Sequence, residues 1–198
     1  MDQQKGVGTD MNELIHDMTL YEDIPDPAGR LPREMEVYRL LKQLDIPYKR
    51  LDHEPMATIE ACQGVDEILG IHMCKNLFLC NSQKTAFYLL MMPGEKKFKT
   101  KELSKQIGSA RLSFGPEEFM EEYLHISPGA VSIMGLMNDR ENHVKLLIDE
   151  DVLKEEYLGC HPCVNTASLR LMTSDIIEKF LPFVKHEYRR VHLETNEL

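Results

Sequence analysis

The sequence predicts an α+β domain with a mixed, largely antiparallel sheet and helices packed around it. Two observations carry this. After Met73 come two apolar runs, Cys74 to Cys80 and Thr85 to Met92, separated by the turn-like Asn81-Ser82-Gln83 and closed by Pro93-Gly94. That is the pattern of two buried strands on a tight connection. Around them, segments of helical spacing alternate with strand-like segments, some joined by short turns and others by helices, which mixes hairpin with crossover pairing.

The elements follow in order. Residues 1–31 mix Gly, Asp and Pro with scattered apolar positions and form an extension, in which Met11, Leu14, Ile15 and Met18 give one or two amphipathic turns. From Pro32, a first-turn residue, the stripe Met35, Val37, Tyr38, Leu40, Leu41 and Leu44 predicts a helix that stops before Pro47. Tyr48 to His53 reads as a strand, and Thr58 caps a second helix ending near Gly70. Beyond the two central strands, Lys99 to Ile107 is a helix closed by Gly108, Arg111 to Phe114 a short strand, and Pro116-Glu117-Glu118 opens another helix. His143 to Ile148 is a strand, Asp151 to Tyr157 a short helix, Ala167 to Met172 the last strand and Ser174 to Val184 the last helix, with Thr173 as its cap. The domain so defined runs over residues 32–184, and 185–198 form a charged tail that frays.

A chain of 198 residues with 42% hydrophobic content suits one domain. Its net charge of -10 argues against broad adhesion to nucleic acid, DNA included, although a local basic patch can still hold one RNA end. Five cysteines, an odd number, with no secretory or membrane-spanning run predict thiols in a reducing cytoplasm.

Three features could carry chemistry. Lys75 stands at the mouth of an apolar strand, where an ammonium is costly to desolvate and faces an anion or a cleft, unless it merely snorkels to the surface. The basic cluster Lys84, Lys96, Lys97, Lys99, Lys101, Lys105 and Arg111 is either an RNA-binding patch or a solvated surface. Gly159 to Ala167 gathers His161, Asn165 and Thr166 just before a strand, although His161 alone could be a hydrogen-bonded loop histidine. Cys160 and Cys163 form a lone CxxC without the remaining ligands of a zinc site, and no cysteine has the context of a nucleophile. There is no GxGxxG, P-loop, HExxH or GxSxG.

Taken together, His53-Glu54-Pro55, Lys75-Asn76-Leu77-Phe78-Leu79, Ser127-Pro128-Gly129-Ala130-Val131-Ser132 and His161-Pro162-Cys163-Val164-Asn165-Thr166-Ala167 resemble, in order and spacing, the YbaK/prolyl-tRNA synthetase-associated editing-domain family. Within it they look like the free-standing ProXp-ala type, over about Pro32 to Pro182. The resemblance implies a barrel-like α+β domain and a hydrolase that deacylates mischarged aminoacyl-tRNA, alanyl-tRNA(Pro) in this branch, without metal or organic cofactor. It implies that Lys75, beside Asn76, holds the terminal adenosine end through phosphate, and that the loop from Gly129 through Ala130, Val131, Ser132 and Ile133 grips the aminoacyl carbonyl with backbone amides. His161, Asn165 and Thr166 then shape the pocket, and Lys84, Lys96, Lys97, Lys99 and Lys101 meet the tRNA. The partner implied is the acceptor end of tRNA(Pro) carrying a small amino acid, with prolyl-tRNA synthetase a further candidate and no membrane. Ile133 stands where the family has proline, which predicts a less rigid loop and some leakage towards serine. A non-catalytic binder of aminoacyl-tRNA or amino acid is the alternative.

Overall fold

The computed structural model describes residues 15–55 and 59–194, the side chains of 59–63 excepted. Its strands are β1 (Tyr48–Asp52), β2 (Cys74–Asn81), β3 (Phe87–Pro93), β4 (Leu112–Phe114), β5 (Val144–Asp149), β6 (Tyr157–Cys160), β7 (Ala167–Met172) and β8 (Tyr188–Val191). The helices are α1 (Pro32–Gln43), α2 (Ile59–Leu69), α3 (Thr100–Ile107) and α4 (Glu117–Leu124), followed by a 3-10 helix (Ile133–Met137), a 3-10 turn (Val152–Lys154) and a C-terminal helical run.

The strands make two sheets, β4-β2-β3-β5-β8 and β1-β7-β6. Four of the six pairings are antiparallel, and β3 with β5 and β5 with β8 are parallel, so the sheet is mixed and largely antiparallel as its sequence predicts. The barrel is not found: among the described residues no ring of strands closes, and a Met73–Gly159 bridge links the two sheets. Glycine suits that close approach, since a Cβ on Gly159 would lie 2.4 Å from Ile71 Cδ1 and Met73 Sδ and would displace those side chains.

β3 is buried on both faces, which is why it reads as an unbroken apolar run. Phe87, Leu89 and Met91 join Phe78 and Cys80 in the main core with Tyr38 and Leu41 of α1, while Tyr88, Leu90 and Met92 pack with Leu79 beneath Leu103 of α3. Each such side chain stabilises the fold by roughly 1.5 to 3 kcal/mol. Gly108 ends α3 at φ 69°, the left-handed position that favours glycine.

Several expectations need correction. Residues 151–157 form only the short 3-10 turn, and the chain then enters β6, which propensity does not reveal in a run as short as Tyr157-Leu158-Gly159-Cys160. The tail does not fray from Lys185. Tyr188–Val191 pairs in parallel with β5, Val191 and Leu193 are buried, and Asp149 Oδ2 accepts the Leu193 N–H at 2.9 Å. Thr173 is not a cap. It is the first helical residue, Met172 stands at the cap position, and the Thr173 hydroxyl is buried without a partner among the described residues. The helical run from Thr173 widens to a π-helix over Ile176–Phe180, because Pro182 has no N–H to return and its ring crowds the carbonyl four residues back.

The N-terminal extension is docked: Ile15 is buried with Leu51 and Leu69, and Tyr21 exchanges both backbone hydrogen bonds with Arg50. Met18 is 55% exposed, so it shares no apolar face with Ile15. Met11, Leu14 and the Thr58 cap lie outside the described residues. No helix among the described residues is long and apolar enough to cross a membrane.

Candidate active site

Two loops meet beside the seam between the sheets. In the first, Ser127-Pro128-Gly129-Ala130 is a tight turn closed by Ala130 N–H on Ser127 O at 3.2 Å. Proline second and Gly129 third at φ 87° are the demands of a type II turn. Ala130's amide closes the turn, while the amides of Gly129 and Val131 have no acceptor among the described residues. Ser132 then fixes the end of the loop. Its hydroxyl donates to His161 O at 2.5 Å and accepts the Met134 N–H at 3.2 Å, capping the 3-10 helix.

The second loop, 161–166, faces it. A Cβ on Gly129 would stand 3.5 Å from Asn165 Nδ2, so the loops touch there as well as at Ser132 and His161. His161 Nδ1 donates to Ala167 O at 2.9 Å, which leaves Nε2 as a lone-pair acceptor with no partner among the described residues. His53 donates from Nδ1 to Glu54 O at 2.8 Å and accepts from the Ser168 hydroxyl at Nε2, 2.9 Å away. Ser168 also lies 3.5 Å from His161 Nδ1, and the two imidazole centroids are 6.1 Å apart. Burial pushes both histidines below their ordinary range, opposed by the backbone carbonyls they donate to, and at His161 reinforced by neighbouring His53. Both rings are therefore neutral at pH 7.

Lys75 stands on β2 beside this group. Beyond the parallel Met73–Gly159 bridge, two residues on along each chain, come Lys75 and His161. Lys75 is half-buried and has no hydrogen bond or ion pair among the described residues. By strand alternation Asn76 takes the opposite face, where Nδ2 donates to Cys74 O at 3.3 Å and Oδ1 is buried with no partner among the described residues. Thr166 is exposed, and its carbonyl accepts the His53 N–H at 3.0 Å. An open cleft of 360 Å³ runs from His53 and Thr166 to Arg30 and His16 of the N-terminal extension.

Other expected site residues have different work. Ile133 is 0% exposed and Ala130 5%, both packed in the main core, so their side chains support the loop and do not present a surface to a ligand. The Ser132 hydroxyl is fully engaged, and it supplies a restraint on the loop that proline is not there to give. Lys96 is no RNA contact. It is 3% exposed, with Nζ at 2.8 Å from Asp149 Oδ1, 2.6 Å from Asp151 Oδ2 and 3.0 Å from Leu193 O. Lys84, in the β2–β3 turn, and Lys97 and Lys101 are exposed, and Lys99 pairs with Glu102 at 2.9 Å. Burial pushes the Cys74 and Cys160 thiols up to about 12, and Cys163 upward too, so these remain protonated and unreactive at pH 7. Among the described residues no group of three His, Cys, Asp or Glu side chains is arranged to hold a metal ion. Ser168, which joins the two histidines, carries no sequence signal. Its significance comes only from being a buried hydroxyl on β7 beside both rings.

An α+β domain whose glycine turn faces a His-Asn loop across a sheet seam is the arrangement that its four ordered motifs resemble, and a family model agrees. The model described as the aminoacyl-tRNA editing domain matches residues 53–179, and the chain belongs to that family, the YbaK/prolyl-tRNA synthetase-associated editing domains. The chain is 31% identical over 153 residues to the prolyl-tRNA editing protein ProX of Acetoanaerobium sticklandii, covering 77% of this chain and 93% of that one. It is 27% identical over 180 residues to the prolyl-tRNA synthetase associated domain-containing protein 1 of Danio rerio, covering 89% and 95%. A crystal structure provisionally described as a trans-editing enzyme for prolyl tRNA synthetase shares the fold, with a TM-score of 0.62, 16% identity, and coverage of 85% of this chain and 100% of that one.

Proposed function

We propose that this chain is a cytoplasmic trans-editing hydrolase that deacylates mischarged aminoacyl-tRNA, with alanyl-tRNA(Pro) as its leading substrate. The observation that carries the reading is the loop pair, in which the amides of Gly129 and Val131 lack acceptors among the described residues and stand opposite Asn165 and His161, whose Nδ1 is held by Ala167 O. Water adds to the ester carbonyl, and the amides of Gly129 and Val131 stabilise the oxyanion that forms. The bond to the ribose oxygen then breaks, that oxygen takes a proton, and the free amino acid and the intact tRNA leave. His161 Nε2 accepts a hydrogen bond from the substrate ammonium or the attacking water. Lys75 takes the terminal phosphate as a point charge. The name of the Acetoanaerobium sticklandii relative supports prolyl-tRNA editing, and prolyl-tRNA synthetase is the natural partner to hand on mischarged product.

An apolar pocket gains only ~1 to 3 kcal/mol per methylene, so alanine is separated from the larger proline by exclusion. The test is hydrolysis of alanyl-, seryl- and prolyl-tRNA(Pro) side by side by the wild type and by Lys75→Ala. The expected result is rapid loss of alanine, slow loss of proline, and a folded Lys75→Ala protein with little activity. Rapid cleavage of the prolyl ester would overturn the editing reading, normal activity in Lys75→Ala would remove that lysine from the site, and no cleavage of any ester by the wild type would overturn the hydrolase in favour of a binding role.

A further inference from the structure

The five-stranded sheet carries a second cationic feature, at the end away from Lys75. Between the C-terminal end of α3 and β8 runs a groove of 530 Å³ lined by Tyr88, Ile107, Lys145, Lys185, Tyr188 and Arg189. Lys145 and Lys185 are exposed, and neither they nor Arg189 has an ion-pair partner among the described residues, whereas Lys49, Lys96, Lys99, Lys154 and Lys179 are all paired. Arg189 donates to Ile107 O at 3.0 Å and Gln106 O at 2.7 Å, partners that orient the guanidinium at the end of α3 without neutralising it. Lys145 Nζ lies 6.0 Å from the centroid of Tyr88. Glu187 is the acid on the rim. In a chain of net charge -10 this is a local reversal of sign.

The sheet register relates the groove to the site. Lys75 pairs with Met92, Tyr88 with Lys145, and Leu147 with Arg189, and partners in register share a face. Met92, Leu90 and Tyr88 alternate onto one side, so Lys75, Lys145 and Arg189 all belong to the face that α3 covers. Four residues along the strands and two strand spacings across separate Lys75 from Lys145 by about 16 Å. The direct line is filled by α3 and by Leu77, Leu79 and Leu90 beneath it, so a strand rising about 3.4 Å per nucleotide spans at least about five nucleotides on its way around α3. Lys185 and Arg189 lie beyond the segment the family model matches.

We propose that this groove grips the phosphate backbone of the RNA whose aminoacyl end occupies the Lys75 site. The contact is separate from the exposed lysines of the Lys84 to Lys101 stretch, and the inference rests on the proposed function. The test uses the full chain with Lys145→Glu/Lys185→Glu, and with Lys145→Gln/Lys185→Gln to separate lost attraction from added repulsion. Arg189 is left in place because it also holds α3. Binding of uncharged tRNA(Pro) is followed across a salt series, and hydrolysis is compared between alanyl-tRNA(Pro) and an alanyl ester of a trinucleotide ending in adenosine.

Two lost phosphate contacts make the slope of log affinity against log salt shallower by about 1.8. The deacylation efficiency on full tRNA falls about tenfold while the short ester is cleaved as by the wild type. An unchanged salt slope in both variants overturns the proposal, as does an equal loss on the short ester, which would mean damage to the site itself. Displacement of tRNA from the wild type but not the variants by polyglutamate, with no change in tRNA slope, would assign the groove to an acidic protein and also overturn it. Failure of the wild type to cleave any ester sinks the proposed hydrolase and leaves the binding measurement to judge the groove alone.

Discussion

Replacing Lys96 with methionine separates a structural cation from an RNA contact. The ammonium stands against Asp149, Asp151 and the Leu193 carbonyl, and the Asp149 side chain is 0% exposed. Without the lysine, Asp149 keeps two backbone donors, from Asp151 at 3.0 Å and Leu193 at 2.9 Å, but no countercharge. Breaking a buried pair by removing one member costs about 3 to 5 kcal/mol, and the two retained donors place this case near 3. At about 2 to 4 °C per kcal/mol for a chain of this size, the melting temperature falls by about 6 to 12 °C. The assay is thermal and urea unfolding of Lys96→Met and of Lys96→Met/Asp149→Asn at pH 7. The double variant recovers part of the loss because it leaves no uncompensated charge. Hydrogen bonds from Lys154 and Lys96 hold Asp151 down to about 2. A depressed carboxylate stabilises above its unfolded value, about 3.8, and that stability is lost as pH falls from there towards 2, so the gap between wild type and Lys96→Met narrows across that window. A melting temperature unchanged to within about a degree, together with weakened tRNA binding, would refute the buried pair and return Lys96 to the RNA surface.

Two further outcomes follow from the site. Because burial holds His53 and His161 below about 6.5, the unfolded chain binds protons that the folded one refuses, and stability falls as pH drops below that value. Urea midpoints between pH 8 and 5.5 should show the decline, with a smaller slope in His53→Gln, and an identical slope in that variant would exclude His53 as a source. Ile133→Pro should be accepted by the backbone: Ser132 is already extended at φ -151° and ψ 148°, as a residue before proline must be, and the Ile133 N–H has no acceptor among the described residues. The lost core contact costs about 1 to 2 kcal/mol, read as a lower melting temperature, while the alanyl-to-seryl preference stays the same, since Ser132 already holds the loop. A tenfold gain in that preference would show instead that the wild-type loop is loose.

The parts of the fold that sequence reveals are those whose own burial writes the pattern. β2 and β3 are apolar because a core covers them, and α3 ends where Gly108 can turn left-handed. β6 and β8 are held by what lies next to them. Ile71 and Met73 pack over the bare face of Gly159, and Tyr188-Arg189-Arg190-Val191 becomes a strand because β5 is waiting and Lys96 and Asp149 fasten Leu193 beyond it. The same limit divides Lys96 from Lys97: one residue apart, identical in type, one is sealed between two aspartates and the other is exposed. Motif order brought Gly129, His161 and Asn165 to one place, but which loop residues turn inward, Ile133 and Ala130, and which hydroxyl ties the histidines, Ser168, are decided by tertiary packing.

Under the proposed function, the loop pair offers a substitute for the proline that Ile133 replaces. A loop that is to stabilise a developing oxyanion must hold its donors in place before the charge appears, because reorganising them during the reaction gives back the advantage. Proline would supply that order by fixing one φ angle. Here the order comes from the far side: Ser132 bonds across to His161 O and back to the Met134 amide, and Ile133 is driven wholly into the core. Gly129 must keep its freedom, since its φ of 87° is the turn and that left-handed backbone is what limits what could replace it. An alanine there would fit against the opposite loop at ordinary contact distance but would strain the backbone at that φ, so the constraint on this position is conformational.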